Sequence, residues 1–286
     1  MEFTKTFLRA KSPCADGFRW FARNFKDGSG YQEALDTLVS VGRVDDASWL
    51  LSQFGPTNAV LRLDSLEAGA VVFAGTLEVR GGVNVDTVVQ AGRSIRAGGG
   101  IRAGRSIVAG EDIRAGGSIN SEGRLQAGGD VRADWGIEVQ NDFICSGNVR
   151  AVWDLICHGK LSLTGNAIIG QDLIVDGPVE CGKSLRTGGA IVGAESIRAG
   201  QGILAGGAIS GCMHLEAGWG IKSGESIIAN GSIKAGESLS ARDEIRAGAG
   251  YCVYAGLNVQ VDSWESSAQV IAKIKPVSLM SGYWMG

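Results

Sequence analysis

Aliphatic residues recur at every sixth position from Val71 to Ile245. Stepping by six from Val71 reaches thirty positions, of which 28 are Val, Ile or Leu; the exceptions are Phe143 and Ala167. A phase that is kept over so many residues is typical of a structural repeat. Two positions after each aliphatic residue the sequence favours a small one, and glycine follows it in 15 of the thirty units.

The two apolar positions of each unit are separated by two residues, which is the period of a β-strand. A helix is excluded because apolar residues do not recur at three and four, and each glycine would cost about 1 kcal/mol. We therefore predict strands of about three residues, joined by corners at which glycine supplies a positive φ. Units of this length build β-solenoids.

Three units make one triangular turn of 18 residues. We predict a mainly β protein, a single-stranded β-solenoid (triangular β-helix). Residues 71–251 leave room for about ten turns, which gives a rod roughly 48 Å long at ~4.8 Å per turn. The large and the small residue of each unit point inward, and the small position includes three cysteines, which we interpret as small hydrophobic residues: Cys145, Cys157 and Cys181.

Composition limits the other classes of protein. The 45 glycines occur with only four prolines, which excludes collagen and Pro/Gly-rich disorder. The formal charge of −3 favours neither nucleic acid nor a membrane surface. We expect no membrane span, no signal peptide and no cofactor. The six cysteines lack short paired spacings, so reduced thiols and a cytoplasmic location are expected.

The two ends of the chain depart from the repeat. CADGFRWFARNF, YQEALDTLVSVG and VDDASWLLSQFG each have the pattern of a short amphipathic helix. A solenoid needs a distinct cap at each end, where its sheet edges would otherwise be exposed. We predict a small helical N-terminal cap or docking segment at 1–60, a β-solenoid at 61–256, and a C-terminal cap and tail at 257–286.

Two glycine-rich motifs resemble phosphate-binding loops. GPVECGKS at 177–184 matches G-x-x-x-x-G-K-[ST], and AGGGIRAG resembles a dinucleotide fingerprint. Both motifs require a helix to follow, whereas here the repeat continues. We interpret both as repeat register. His158 and His214 fall at predicted corners and are interpreted as solvated turn residues.

Outward residues 18 apart share a face and form columns along the rod. One column is basic, and its simplest interpretation is a solvated row of charges that prevents aggregation between sheets. Its candidate function is contact with an anionic partner such as nucleic acid, which the net negative charge disfavours. The candidate anion-facing ladder is Arg96, Arg114, Arg132, Arg150 and Arg186.

A second column is apolar on successive turns, and a flat apolar strip on a rigid sheet is a candidate interface. Cover by the terminal segments is the alternative. Trp135 and Trp153, also 18 apart, are expected to stack at one corner through local packing. The candidate interface is Ile156, Ile174, Val192 and Ile228, with Ile168 and Ile144 at matching positions on the other faces.

The phrase SIRAGGGIRAGRSIVAGEDIRAGG resembles the glycine-rich triangular β-helices of bactofilins and of the C-terminal domain of division-site inhibitors. That resemblance implies a right-handed helix and a role in assembly. The segments KSPCADGFRWFARNF and YQEALDTLVSVGRVDDASWLL resemble N-terminal helical regions of bacterial and phage-borne repeat proteins of unknown role, which implies a bacterial protein.

We predict a non-enzymatic structural or interaction protein whose rigid faces serve self-association, giving a homo-oligomer, or the binding of a protein partner. One alternative is an enzyme like the acyltransferases with six-residue repeats, which resemble this chain in period but place the small residue before the aliphatic one. The other is an inhibitor or a nucleic-acid-binding solenoid.

Overall fold

A computed structural model describes residues 2–3, 8–25 and 29–286. Most of the chain forms a rod of three parallel sheets, each built from one strand per turn. Sheet 1, with 13 strands, consists of Val60–Leu63, Thr76–Val79, Ile95–Ala97, Ile113–Ala115, Val131–Ala133, Val149–Ala151, Ala167–Ile169, Leu185–Thr187, Ile203–Ala205, Ile221–Ser223, Leu239–Ala241, Gln269–Ile271 and Tyr283–Trp284.

Sheets 2 and 3 follow sheet 1 around each turn. Sheet 2, with 11 strands, consists of Leu66–Ala68, Val83–Val85, Ile101–Ala103, Ile119–Ser121, Ile137–Val139, Leu155–Cys157, Leu173–Val175, Ile191–Gly193, Ile209–Gly211, Ile227–Ala229 and Ile245–Arg246. Sheet 3, with 12 strands, consists of Val71–Phe73, Val88–Ala91, Ser106–Ala109, Arg124–Ala127, Phe143–Cys145, Leu161–Leu163, Val179–Cys181, Ile197–Ala199, Leu215–Ala217, Ile233–Ala235, Val253–Tyr254 and Leu279–Ser281.

The register between turns is 18 residues. Ile101 pairs with Ile119, and the next turn continues from Ile119 to Ile137. The first and third residues of the strands are buried and the middle residue faces outward, as in Ile101–Ala103. The buried residues form one continuous core along the rod. The predicted fold class, a β-solenoid with 18 residues per turn and a small helical N-terminal part, is confirmed.

The rod has about 12 turns instead of the ten predicted from the repeat. At the N-terminal end, Val60–Leu63 and Leu66–Ala68 form strands although they precede the six-residue phase. At the C-terminal end, Gln269–Ile271 and Leu279–Ser281 add strands after the phase has been lost. Strand pairing therefore extends beyond the repeat, because an exposed sheet edge can accept any extended segment that reaches it.

The physical role of the corner glycines differs from the predicted one. Among the residues that the structure describes, the glycines with positive φ are Gly42, Gly55, Gly250, Gly256 and Gly282, none of which is a repeated corner. At the corner residue Gly104, an added Cβ would lie 2.1 Å from the carbonyl oxygen of Asp86 in the preceding turn. Glycine is needed at that corner because successive turns approach closely, and positive φ is not the reason.

Gly69 and Gly104 provide a matched test of this close approach. Both follow a strand of sheet 2 at the same corner, but Gly69 lies in the first turn and an added Cβ there would meet no atom within 4 Å. We expect Gly104→Ala to lower the free energy of unfolding by about 1–3 kcal/mol, as overpacking does. Gly69→Ala should leave it unchanged or raise it slightly. Equal effects of the two variants in denaturant unfolding would contradict this explanation.

Three helices form the N-terminal part: α1 (Ala15–Asn24), α2 (Tyr31–Ser40) and α3 (Val44–Phe54). They correspond to the three amphipathic segments of the sequence, with Gly30 at the start of α2 and Gly55 at the end of α3. Glu2–Phe3 pairs antiparallel with Ser29–Gly30. The helices form a second core together with Val72 and Ala74 of the rod.

The helical part covers one sheet edge through a single side chain. Gln32 of α2 donates from Nε2 to the carbonyl of Val72 at 3.0 Å and accepts the N–H of Ala74 at 2.9 Å. Val71–Phe73 is the first strand of sheet 3, so these two groups have no neighbouring strand there. The Gln32 amide occupies the place of a missing strand.

At the other end, the chain leaves the repeat after Ile245–Arg246, and the next strand, Val253–Tyr254, pairs with Ile233–Ala235 in a changed register. A 3₁₀ turn (Val261–Ser263) leads into the short helix α4 (Trp264–Ser267), and the last strands then return to sheets 1 and 3. Trp284, near the end of the tail, packs against the core of the rod. The boundaries at residues 60 and 256 stay predictions.

Candidate interaction surfaces

The arginine column lies on the outer side of sheet 1. Arg96, Arg114, Arg132 and Arg150 are in register on successive turns. Ile168 interrupts the column, and Arg186 follows it on the next turn. The outer side of this sheet carries a shallow groove of about 610 Å³, bounded by the four arginines and Ile168.

Acidic neighbours neutralise much of this column. Arg96 pairs with Glu78 at 3.2 Å, Arg114 with Asp112 at 3.0 Å, and Arg132 with Asp134 at 2.9 Å. Within the described residues, Arg150 and Arg186 form no ion pair. Exposed pairs of this kind contribute at most about 1 kcal/mol each. The column is therefore less basic than its sequence suggests, and its role as an anion-facing ladder stays a prediction.

The apolar column lies on the outer side of sheet 2. Ile156, Ile174 and Val192 are in register on three successive turns. Ile174 and Val192 are 38% and 42% exposed, and Ile156 is half-buried. Ile228 is also half-buried and lies two turns beyond Val192, with Ser210 between them. No described terminal segment covers Ile174 or Val192.

The tryptophans extend this surface around a corner. Trp135 and Trp153 lie in the corner between sheets 1 and 2, on adjacent turns, with ring centroids 6.5 Å apart and ring planes at 30°. They are 60% and 55% exposed, and their neighbour Val152 is exposed as well. Ile168 and Ile174 flank the same corner one turn further on, in sheets 1 and 2 respectively.

We use the term apolar patch for this set of side chains. The sequence predicted its strip on sheet 2, but the continuation through the corner was missed because the tryptophans were interpreted as local packing. The missed signal is the position of Val152 and Trp153 between the outward residues Arg150 and Ile156. Ile144 belongs to sheet 3 and lies outside the patch. The patch consists of Trp135, Val152, Trp153, Ile156, Ile168, Ile174 and Val192.

Asp and Asn side chains at the corners bind backbone groups of the next turn. The Oδ1 atom of Asp130 accepts the N–H of Asn148 at 2.7 Å, and that of Asn148 accepts the N–H of Asn166 at 2.9 Å. The Oδ1 atom of Asn166 accepts the N–H of Ser184 at 3.2 Å. This ladder satisfies corner N–H groups that have no strand partner. These residues are therefore structural, a role that the sequence prediction did not assign to them.

The two histidines lie at corners, as predicted. His214 Nδ1 accepts the N–H of Ser232 at 3.0 Å, so His214 takes the place of an Asp or Asn in a corner ladder. In this arrangement the proton of the neutral ring lies on Nε2. His158 Nδ1 contacts Oδ2 of Asp176 in the following turn at 2.6 Å, and both side chains are exposed. Both contacts join residues 18 apart.

The phosphate-loop interpretation of GPVECGKS fails in the structure, as expected. Val179–Cys181 is a strand of sheet 3, and the element after Ser184 is the strand Leu185–Thr187. The helix N-terminus that such a site needs is therefore replaced by sheet. Among the residues that the structure describes, no three His, Cys, Asp or Glu side chains are grouped to hold a metal ion. No described helix is long and apolar enough to cross a membrane.

The three cysteines at the small inward position are buried, as predicted. Each thiol donates to a corner carbonyl of the preceding turn, as Cys145 does to Gly129 at 3.1 Å. Burial raises the pKa of Cys145 to about 11 and also raises the pKa values of Cys157 and Cys181. Because the thiolate is the nucleophile, these thiols are unreactive near neutral pH.

Thiol labelling tests this burial. At pH 8 a disulfide reagent should label the exposed Cys14 and Cys212 within seconds to minutes, whereas the three core thiols should react only after unfolding. Replacing the half-buried Cys252 with serine leaves two exposed and three buried thiols to be counted. Because the folded state keeps the core thiols protonated, stability should fall as pH rises from about 9 to about 11. Rapid labelling of more than two thiols in the folded Cys252→Ser variant would contradict the burial.

Comparison with protein families gives one match. Residues 1–55 match the family model of the YdhT N-terminal domain, which covers the helical part and none of the rod strands. The searches of curated proteins and of solved structures returned no match. The likeness to bactofilins and division-site inhibitors stays a resemblance of the repeat pattern.

Proposed function

We propose that this protein is a non-enzymatic interaction protein whose rod holds fixed surfaces for protein–protein contact, including self-association. The observation that carries the proposal is the apolar patch. Soluble proteins rarely expose contiguous apolar surface unless it binds something. Tryptophan and arginine are also the residue types that contribute most to binding at interfaces, and here Arg150 precedes Trp153 by three residues in the chain.

The backbone of the rod supports this proposal. Each central strand is hydrogen-bonded to a strand on both sides, so the side chains of Ile156, Ile174 and Val192 are held in one line. A surface that is already ordered loses little conformational entropy on binding. A β-solenoid can therefore use a small apolar area efficiently, which a flexible loop of the same composition cannot.

Self-association is favoured by the shape of the patch. Sheet 2 is one long face of the rod, and two rods can place this face against each other around a two-fold axis. Such an isologous contact uses the same residues on both copies and is the commonest way in which soluble chains form oligomers. Trp153 of each copy would lie beside the Ile174 strip of the other.

Replacing Ile174 with aspartate tests the patch. The charge lies at the centre of the strip and must be desolvated if the strip is buried in an interface. We expect the dissociation constant of the oligomer to rise at least ~tenfold, which corresponds to about 1.4 kcal/mol. Light scattering coupled to size-exclusion chromatography over a range of protein concentrations measures this change.

Ile144→Asp is the matched control. Ile144 is exposed to a similar degree and occupies an outward strand position, but it belongs to sheet 3. Both variants should keep the thermal unfolding transition of the parent protein. An oligomer mass that changes equally in both variants, or in neither, would remove the apolar patch as the self-association surface.

The arginine column supports a second candidate, an anionic partner on sheet 1. The observation that favours it is that Arg150 and Arg186 have no acidic partner among the described residues, and that Arg150 borders the groove together with Ile168. If this column binds single-stranded nucleic acid, the affinity of a labelled oligonucleotide should fall steeply with salt. In that case Arg150→Ala should weaken binding more than Arg114→Ala, since Arg114 is already paired. Binding that is independent of salt would exclude this candidate.

A further inference from the structure

Sheet 2 ends before its two neighbours at the C-terminal end of the rod. Its last strand is Ile245–Arg246, whereas sheet 1 continues through Gln269–Ile271 and Tyr283–Trp284, and sheet 3 through Leu279–Ser281. The outermost turn therefore has strands on two sides of the triangle and none on the third.

The chain passes this position without pairing. The N–H of Lys273 bonds to the carbonyl of Asp243 at 2.9 Å, and the N–H of Val253 bonds to the carbonyl of Ser278 at 2.9 Å. Between these two anchor points, residues 274–277 form no backbone hydrogen bond to Ile245 or Arg246. The side chains of Ile274 and Val277 are exposed, whereas Pro276 is buried. An open groove of about 390 Å³ lies between this loop and the strand Ile245–Arg246.

The strand edge that faces the groove has free hydrogen-bonding groups. In every complete turn of sheet 2, the backbone N–H of the aliphatic residue donates to a carbonyl of the following turn. Ile227, for example, donates to the carbonyl of Glu244 at 2.9 Å. Ile245 occupies the same position, but within the described residues its N–H and its carbonyl have no partner. Buried backbone groups of this kind are almost always paired in folded proteins.

The neighbouring columns define the side chains that fit. The large inward position reads Ile209, Ile227 and Ile245, so the next residue in the stack should be aliphatic. The small inward position, two residues after the large one, is occupied by Gly211 and Ala229 in the two preceding strands. Outward, an acidic residue would lie above Arg246, as Glu216 lies above Arg198 at 3.4 Å in sheet 3.

We propose that this groove binds an extended segment of a partner protein with the pattern aliphatic–acidic–small, which adds to sheet 2 as a twelfth, parallel strand. The carbonyl before the aliphatic residue accepts the N–H of Ile245. The N–H of the acidic residue donates to the carbonyl of Ile245. Such strand addition gains affinity from backbone hydrogen bonds and specificity from alternate side chains.

The partner is an isolated strand and not the end of a second rod. The first strand of sheet 2, Leu66–Ala68, has the required pattern, with Glu67 in the outward position. In a complete rod, however, it lies between the first strands of sheets 1 and 3. These would collide with the last strands of sheets 1 and 3 in the other copy, which rise one turn above Ile245. This site is separate from the apolar patch, so the two proposals fail or succeed independently.

A short peptide tests the proposal. The probe is blocked Ser-Leu-Glu-Ala-Gly-Ala, the sequence of residues 65–70, titrated against the full chain while backbone amide resonances are followed by NMR. We expect saturable shifts at Ile245, Arg246 and residues 274–278. A peptide N-methylated at Glu should bind about fivefold more weakly or worse, since it lacks the N–H that bonds to Ile245. N-methylation at Leu, whose N–H points away from Ile245, should have little effect on hydrogen bonding.

A charge exchange tests the register. Arg246→Glu should weaken the binding of this peptide and strengthen the binding of a peptide in which Lys replaces Glu. Lys222→Glu on sheet 1 should change the affinity of neither peptide. The proposal would be overturned if millimolar peptide caused no amide shifts near Ile245, or if both N-methylated peptides lost affinity equally. Shifts confined to the apolar patch would overturn it as well, because they would place the peptide on another surface.

Discussion

The whole structure depends on the parallel hydrogen bonding between residues 18 apart. Because Ile101 pairs with Ile119 and Ile119 with Ile137, each inward residue stacks on an inward residue and each outward residue on an outward one. A register shift by one residue would move every buried aliphatic side chain to the surface. One constraint therefore determines the continuous core, the straight outward columns and the rigidity of the faces.

The corners are the places where this constraint is most demanding. Successive turns approach so closely that a Cβ at Gly104 would overlap a carbonyl of the turn before. Corner N–H groups also need acceptors, which Asp130 and Asn148 supply from the turn before. The conspicuous glycines, aspartates and asparagines of this sequence are thus explained by the backbone of neighbouring turns. A ligand-binding interpretation of GPVECGKS loses its basis for the same reason.

The sequence was sufficient to predict the rod because periods of two, six and eighteen residues each have one structural meaning here. It was not sufficient for the features that arise outside those periods. Val60–Leu63 and Leu279–Ser281 form strands because the growing sheet edge accepts them, although their own pattern is weak. The contribution of Trp153 to the apolar patch was missed because Trp153 lies at a corner, outside the outward columns of the strands, and its neighbours are known only once the turn is closed.

Specific binding by such a molecule must come from departures from the repeat. A perfect repeat would present identical, solvated columns along the whole rod, and no position would differ from the next. The apolar patch arises where Ile156, Ile174 and Val192 replace the polar residues that occupy the same column at Asn120 and Glu138. At the ends, Gln32 closes the first edge of sheet 3, whereas no described residue bonds to the outer N–H and carbonyl of Ile245 at the last edge of sheet 2. The uniform part of the chain thus supplies rigidity, and its irregular positions supply the surfaces that a partner can distinguish.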